Sequence, residues 1–207
     1  MEDSKCKKCR RAGEKLFLKG DRCFTQKCAM VKRPYAPGLH GTKRRRGGVS
    51  EYGTQLSEKQ KVKRSYLLRE TQFRKYFDMA EKKDGITGDL LLQILETRLD
   101  NAVFRGGLAG SRSMAKQMVG HGHIALNGRK VDVPSILVKV GDVISIRKGS
   151  EDKVIFKDIK DKLKKHETPK WIELDKTKLQ LEIKRSLQKE DIETSFNMQL
   201  ITEFYSR

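Results

Sequence analysis

Hydrophobic residues in the first half of the chain recur at the spacing of an amphipathic helix. Ser57 and Gln60 form a capping-box signature, which predicts a helix that runs to about Lys82. The apolar residues on its predicted core face are Val62, Tyr66, Phe73, Phe77 and Ala80. A break over residues 83–88 precedes a second helical pattern, formed by Leu90, Leu91, Ile94 and Leu95. We therefore predict two helices that each bury one face.

Two shorter helices are predicted next, each with an apolar stripe and a separate polar face. The stripes are formed by Leu99, Ala102 and Val103 in the first helix and by Ala115, Met118 and Val119 in the second. The polar faces carry Arg98, Asn101 and Arg105 in the first helix and Arg112 and Lys116 in the second. Ser111 is a favourable N-cap for the second helix, and Gly120 is a natural stop just past its end.

The pattern changes to that of a sheet after the second short helix. Asn127-Gly128 is typical of a two-residue hairpin turn. Further strands are predicted around Ile136–Val140, over Val143–Ile146, and in the segments WIELD and KLQLEI. Trp171 is expected to be a packing residue. The last regular element predicted is a short helix from Asn197 to Tyr205.

The charge of the chain indicates a polyanionic partner. The 207 residues include 46 Lys and Arg against 27 Asp and Glu, which gives a formal net charge of +19. Residues 1–46 hold 15 basic and 4 acidic residues, so the N-terminal part is expected to seek phosphate most strongly. A membrane surface is the competing polyanion, but the chain has no hydrophobic span, and we expect a cytoplasmic protein without a membrane partner.

Polar groups near the two short helices form a candidate RNA surface. His121 and His123 flank the helix exit, and Arg129 and Lys130 follow the hairpin turn. Together with the helix cations, Ser111 and Asn127, they can converge on phosphate oxygens, although a solvated charged face is the alternative. In the first long helix, Lys63, Arg64, Arg69 and Arg74 remain for solvent or RNA.

The segment between the cysteines and the first long helix contains Pro, Gly and a run of cations. The run consists of Lys43, Arg44, Arg45 and Arg46. This composition predicts an extended arm that orders on RNA, with a flexible solvated linker as the alternative.

The four cysteines have the spacing of metal ligands. Cys6, Cys9, Cys23 and Cys28 form C-x2-C-x13-C-x4-C, in which two close pairs can surround one structural zinc ion. Neighbouring Lys and Arg side chains favour thiolates. Disulfides, unligated thiols and an iron-sulfur cluster are the alternatives, of which disulfides are disfavoured inside a cell.

Several segments together resemble the family of ribosomal protein four of the bacterial small subunit. They are residues 98–135 (RLDNAVFRGGLAGSRSMAKQMVGHGHIALNGRKVDVPS), Tyr52–Arg64, Glu70–Phe77, Thr87–Asn101 and the terminal LITEFYSR. The resemblance covers nearly the whole chain.

This resemblance implies an α+β fold. A helical domain (47–95, completed by about 186–207) is interrupted by an RNA-binding module (96–185) of two short helices packed on a small, mainly antiparallel sheet. A zinc-bound basic arm (1–46) precedes it. The implied role is structural: the protein binds a multi-helix junction of small-subunit ribosomal RNA, nucleates assembly, contacts ribosomal protein five, lies near the messenger RNA entry path and supports decoding accuracy. It is not expected to be a homo-oligomer when assembled.

Two other functional classes are disfavoured by the motifs that the sequence lacks. Similar modules are attached to pseudouridine synthases, tyrosyl-tRNA synthetases and RNA methyltransferases, but no P-loop, Rossmann fingerprint, nucleophile elbow or H-E-x-x-H helix occurs here. A zinc-dependent DNA regulator lacks the base-reading helix that such fingers place after their cysteines. We therefore expect a protein that is not an enzyme.

Overall fold

The computed structural model divides into two compact units. Unit 1 comprises residues 1–90 and 194–207, and unit 2 comprises residues 91–193. The residues that the structure describes are 4–42, 48, 50–151, 153–157, 159, 163, 166–192 and 196–207. The predicted cation run of Lys43, Arg44, Arg45 and Arg46 lies outside the described residues. Within the described part, no helix is long and apolar enough to cross a membrane.

Unit 1 begins with three short helical segments around the cysteines. They are α1 (Lys5–Ala12), a 3-10 turn (Gly20–Phe24) and α2 (Ala29–Lys32). Gly13 ends α1 in the left-handed conformation, at φ 79°, which a glycine adopts at little cost. Leu16 and Leu18 pack with Cys9 in a small core.

The predicted long helix is two helices, α3 (Glu51–Ser65) and α4 (Glu70–Glu81). Ser50 caps α3 by accepting from the Gly53 backbone N–H, so the predicted start at Ser57 is wrong. The break follows from a Schellman ending in which Leu67 takes φ 54° and the Leu68 N–H bonds the Lys63 carbonyl. Glycine is the usual residue in this left-handed position, and leucine is uncommon there. The sequence therefore contained no indication of the break. The predicted core face is confirmed, because its five apolar residues are all buried.

The C-terminal helix, α9 (Met198–Tyr205), packs on the α3 side of unit 1. Asn197, the predicted first residue of this helix, is its cap and accepts from the Leu200 N–H. The Tyr205 ring lies 4.4 Å from the Phe77 ring, and its hydroxyl donates to Glu70. Lys59 and Lys63 also donate to this carboxylate. Burial opposes ionisation of Glu70, but these hydrogen bonds outweigh it and lower its pKa to about 2.

The helices of the central segment follow the prediction closely. They are α5 (Thr87–Glu96), α6 (Leu99–Arg105) and α7 (Arg112–Gly120). Ser111 caps α7 by accepting from the Met114 N–H. The helix continues through Gly120, so the predicted stop there is wrong; the left-handed residue that ends the helix is Gly122, at φ 68°.

Unit 2 is completed by a five-stranded antiparallel sheet. Its strands, in the order β2-β1-β3-β5-β4, are β1 (Ile124–Leu126), β2 (Arg129–Val131), β3 (Val143–Ile146), β4 (Ile172–Asp175) and β5 (Gln180–Ile183), and a short α8 (Val154–Lys157) lies between β3 and β4. The predicted hairpin is confirmed: Asn127 and Gly128 take φ 50° and 79°, as a type I′ turn requires. The strand predicted around residues 136–140 is wrong, because Leu137 forms only an isolated bridge to Arg98.

The sheet and the two short helices share one hydrophobic core. The buried residues of that core include the predicted stripes of α6 and α7, the inward residues of β1, β3, β4 and β5, and Trp171. This mixture of helices and an antiparallel sheet is the α+β architecture that the family resemblance implies.

Candidate functional site

The α6–α7 surface is the polar surface that carries Arg105, Arg112 and Lys116. A buried carboxylate at its centre holds the two arginines. Glu96, at the end of α5, is 2% exposed and accepts from Arg105 Nε at 2.9 Å and Nη2 at 3.0 Å. Arg112 Nη2 lies 3.4 Å from Oε1, the oxygen that also accepts from Arg105 Nη2. Asn101 links Glu96 to Arg112, because its Nδ2 donates to Glu96 at 2.7 Å and its Oδ1 accepts from Arg112 Nε at 2.7 Å. Two cationic side chains are thereby held side by side at the surface of unit 2.

The structure corrects the predicted exposure of two residues on the α6 face. Arg98 is 1% exposed and forms a two-bond ion pair with Asp100, at 3.0 Å and 2.7 Å. Asn101 is equally buried. A buried guanidinium and a buried amide need hydrogen-bond partners within the protein. These two groups therefore support the residues of the surface and do not face RNA. Their spacing on one helix face was correct, but this part of the face packs inward, whereas Arg105 remains partly exposed.

The outer part of this surface is formed by partly exposed cations. The guanidinium of Arg112 lies 4.9 Å from the centre of the Phe104 ring, a cation–π contact that further limits its orientation. Lys116, one turn further along α7, is intermediate in exposure. The predicted grouping of Arg105, Arg112 and Lys116 is therefore retained, with two of the three residues held by Glu96. Ser111 is buried at the helix start and acts as its cap.

The two histidines after α7 have different environments. His121 is exposed, whereas His123 is buried and its Nδ1 lies 3.2 Å from the Ser150 hydroxyl. Burial lowers the pKa of His123, and the nearby charges of Lys153, His121 and Arg147 lower it further. His123 is thus a neutral structural residue, which corrects its assignment as an RNA-facing group. Lys153 and Arg147, which sequence reasoning did not single out, add positive charge to this region.

The β1–β2 hairpin presents two cations at its exposed tip. Arg129 and Lys130 are both exposed, as the sequence predicts. Asn127 is exposed but engaged, since its amide donates to Asp142 and accepts from the Val143 N–H. Its role in the structure is therefore to fix the turn that carries the two cations.

The cations predicted on the first long helix divide between the α3 end and α4 of unit 1. Lys63 donates to Glu70, and Arg64 also has a partner within the protein. Arg69 and Arg74 are exposed, and the Arg74 guanidinium lies 6.0 Å from the Tyr205 ring. Arg69 and Arg74 are thus the more accessible of the four.

All four cysteines line one small cavity of unit 1. Cys9, Cys23 and Cys28 are buried and Cys6 is partly exposed, and all four are free thiols. The Lys19 backbone N–H donates to Cys23 Sγ at 3.4 Å. Burial raises the pKa of Cys9, and the other three cysteines add to this rise, against a hydrogen bond from the Leu16 backbone. Among the described residues, no three or more His, Cys, Asp or Glu side chains are arranged as a group that could hold a metal ion.

Unit 2 also contains a polar cavity. It is lined by residues of Phe104–Arg105, of 166–170 and of 185–191. Within it, Arg185 bonds Asp191 at 2.6 Å, and His166 Nε2 donates to the Arg105 carbonyl at 2.8 Å. This second hydrogen bond fixes the orientation of the His166 ring.

Comparison with known proteins identifies what the chain resembles. Residues 1–96 match the family described as "Ribosomal protein S4/S9 N-terminal domain", and residues 97–144 match "S4 domain". The small ribosomal subunit protein uS4 of Caldicellulosiruptor bescii is 53% identical over 98% of this chain and 96% of its own length. The uS4 proteins of Syntrophomonas wolfei (50% identical; 99% and 98% covered) and Halothermothrix orenii (52% identical; 98% and 96% covered) are similarly close.

Proposed function

Because this chain belongs to the uS4 family of small ribosomal subunit proteins, we propose that it binds a multi-helix junction of small-subunit ribosomal RNA and nucleates subunit assembly there. The family establishes the broader role: a structural protein of the small subunit that binds ribosomal RNA and is not an enzyme. The observation that carries the proposal is the identity of about half along nearly the whole chain, which includes both units.

The proposed mechanism rests on cations whose positions are set before RNA arrives. Glu96 orients Arg105 and Arg112, and the hairpin turn presents Arg129 and Lys130. Guanidinium groups that are already oriented lose less conformational entropy when they bind phosphate. Phosphate contacts and the shape of an A-form helix, more than base sequence, therefore determine what this surface selects.

Holding several RNA helices at fixed angles explains the proposed role in assembly. RNA helices that are ordered once by an early protein no longer impose that entropy cost on later ones. We extend the proposal to a contact with ribosomal protein five of the small subunit, to a position near the messenger RNA entry path in cytoplasmic ribosomes, and to an effect on decoding accuracy. In the assembled subunit the protein acts as a single copy.

We also propose that the four cysteines hold one structural zinc ion. The donor set fits: four free thiols line one cavity, and thiolates are the ligands that structural zinc prefers. Burial is the main cause of the raised pKa of Cys9, and the three other cysteines, brought close without a compensating charge, add to that rise. A bound zinc ion supplies that charge, and the cysteines then join α1 to the segment that contains Cys23 and Cys28.

Cosedimentation of the chain with intact small subunits tests the proposed function. We expect one copy per subunit after washing at moderate salt, and direct binding of the purified chain to a protein-free transcript of small-subunit ribosomal RNA. A free RNA-modifying enzyme or a DNA regulator is not retained stoichiometrically. Failure of the purified chain to bind the transcript would contradict the proposal.

A further inference from the structure

Two phenylalanines beside the cysteine cavity stack on each other at the protein surface. The rings of Phe17 and Phe24 have centroids 5.0 Å apart and planes inclined by 29°. Phe17 is 43% exposed and Phe24 is 75% exposed. Because Phe24 remains three-quarters exposed, Phe17 covers at most one face of its ring. The two rings together form a small apolar patch with an open aromatic face.

The backbone holds this pair in place. Phe17 has φ 48°, a left-handed conformation that costs a non-glycine residue energy. Its neighbours Leu16 and Leu18 are buried in the small core that contains Cys9, and Phe24 follows the buried Cys23 directly. The two rings are therefore attached to segments whose neighbouring residues are buried, while Phe17 and Phe24 themselves are exposed.

Charge around the pair identifies the class of partner. Exposed cations lie two residues to each side of Phe17, at Lys15 and Lys19, and close to Phe24 on both sides, at Arg22 and Lys27. The acidic residues nearest in sequence are Glu14, which pairs with Lys61, and Asp21. A stacked aromatic surface among cations matches an unpaired nucleotide, because the ring offers a stacking face to the base while the cations neutralise the flanking phosphates.

We propose that the Phe17–Phe24 pair is a stacking site for one unpaired base of small-subunit ribosomal RNA. The base continues the existing stack on the open face of Phe24. This inference rests on the proposed function, to which it adds a specific contact outside the α6–α7 surface. It also predicts a binding contribution that, unlike the phosphate contacts, does not depend on salt.

The decisive experiment compares Phe24→Leu with Phe24→Tyr in binding to the protein-free transcript at several salt concentrations. Leucine keeps an apolar side chain but offers no stacking face, whereas tyrosine keeps the face. Stacking on one base corresponds to about a fivefold to hundredfold change in affinity. We expect Phe24→Leu to weaken binding within that range with an unchanged salt slope, and Phe24→Tyr to bind like the original chain. In contrast, Arg22→Gln should reduce the slope.

Ile86→Ala is the matched control, because Ile86 is an apolar residue of unit 1 whose 68% exposure is close to that of Phe24. It should leave affinity unchanged. A direct readout is chemical probing of the transcript in the complex, in which one unpaired base should be protected by the original chain and reactive with Phe24→Leu.

Each outcome separates this inference from the proposed function. If the original chain binds the transcript and Phe24→Leu binds equally well, the stacking site is wrong and the proposed function stands. If Phe24→Leu loses cosedimentation with subunits but keeps full affinity for the protein-free transcript, the pair contacts another protein and the inference is overturned. If the original chain does not bind the transcript, the proposed function itself fails.

Discussion

Replacement of Glu96 by glutamine should destabilise unit 2 strongly, although it only exchanges one carboxylate oxygen for an amide nitrogen. The substitution removes the charge that pairs with Arg105 and Arg112, whose side chains are 22% and 17% exposed. Breaking a buried ion pair typically costs about 3–5 kcal/mol. Because both arginines retain some solvent contact and the glutamine carbonyl still accepts a hydrogen bond, we expect a loss of about 2–3 kcal/mol in the free energy of unfolding.

The assay is urea unfolding followed by tryptophan fluorescence. The chain has one tryptophan, Trp171, which is buried in the core of unit 2, so its emission reports on this unit. With a typical urea dependence for a small domain, the expected loss moves the midpoint down by about 1–2 M. Glu151→Gln is the control, because Glu151 is exposed in the same unit and the substitution changes the net charge equally. It should leave the midpoint nearly unchanged.

The same pair of variants tests whether orientation matters for RNA binding. Both raise the net charge of the chain by one, so a purely electrostatic surface should bind the transcript slightly more tightly in both cases. If Glu96 holds the arginines in place for phosphate, Glu96→Gln should instead weaken binding under conditions in which unit 2 remains folded. Equal midpoints for Glu96→Gln and Glu151→Gln would refute the reasoning, since the arginines would then not depend on this carboxylate.

Three further predictions concern the metal, the salt dependence and the pH dependence. Elemental analysis of the purified chain should find one zinc ion. The Cys9→Ser variant should lose this ion and the local order of α1. A folded, metal-free N-terminal region with four reactive thiols would contradict this prediction. Replacing Arg129 and Lys130 together by glutamine should reduce the magnitude of the salt slope by roughly one unit per lost phosphate contact, and an unchanged slope would place RNA elsewhere. Because the pKa of Glu70 is lowered to about 2 in the folded protein from an ordinary value of 4.5, its stabilising contribution is present above pH 4.5 and is lost as pH falls toward 2. The free energy of unfolding of unit 1 should therefore fall less steeply with decreasing pH in Glu70→Gln than in the original chain. Identical pH profiles would exclude Glu70 as a cause of the acid destabilisation.

Local patterns in the sequence were sufficient for much of the fold. The apolar stripes of α6 and α7, the Ser111 cap, the Asn127-Gly128 turn and the C-terminal helix were all predicted correctly. Each depends on contacts or backbone preferences within a few residues, or on a periodicity that survives in any environment. The clustering of the four cysteines was visible for the same reason.

The tertiary structure decided which side chains each polar helix face contacts. Spacing placed Arg98, Asn101 and Arg105 on one side of a helix, but it could not show that Glu96 and Asp100 would bury part of that side. The partners of Glu96 lie 5, 9 and 16 residues later in the chain, at distances that only the α5–α6–α7 arrangement brings together.

Two backbone features also escaped sequence reasoning. Leu67 and Phe17 take positive φ without being glycine, so no residue type signalled the end of α3 or the exposed ring beside the cysteines. Packing of the adjacent residues holds both conformations, since Leu68 is buried after the first, and Leu16 and Leu18 are buried around the second. The sequence by itself therefore determined which residues form the core, whereas the tertiary structure decided which cations and aromatic rings reach the surface, because that depends on partners distant along the chain.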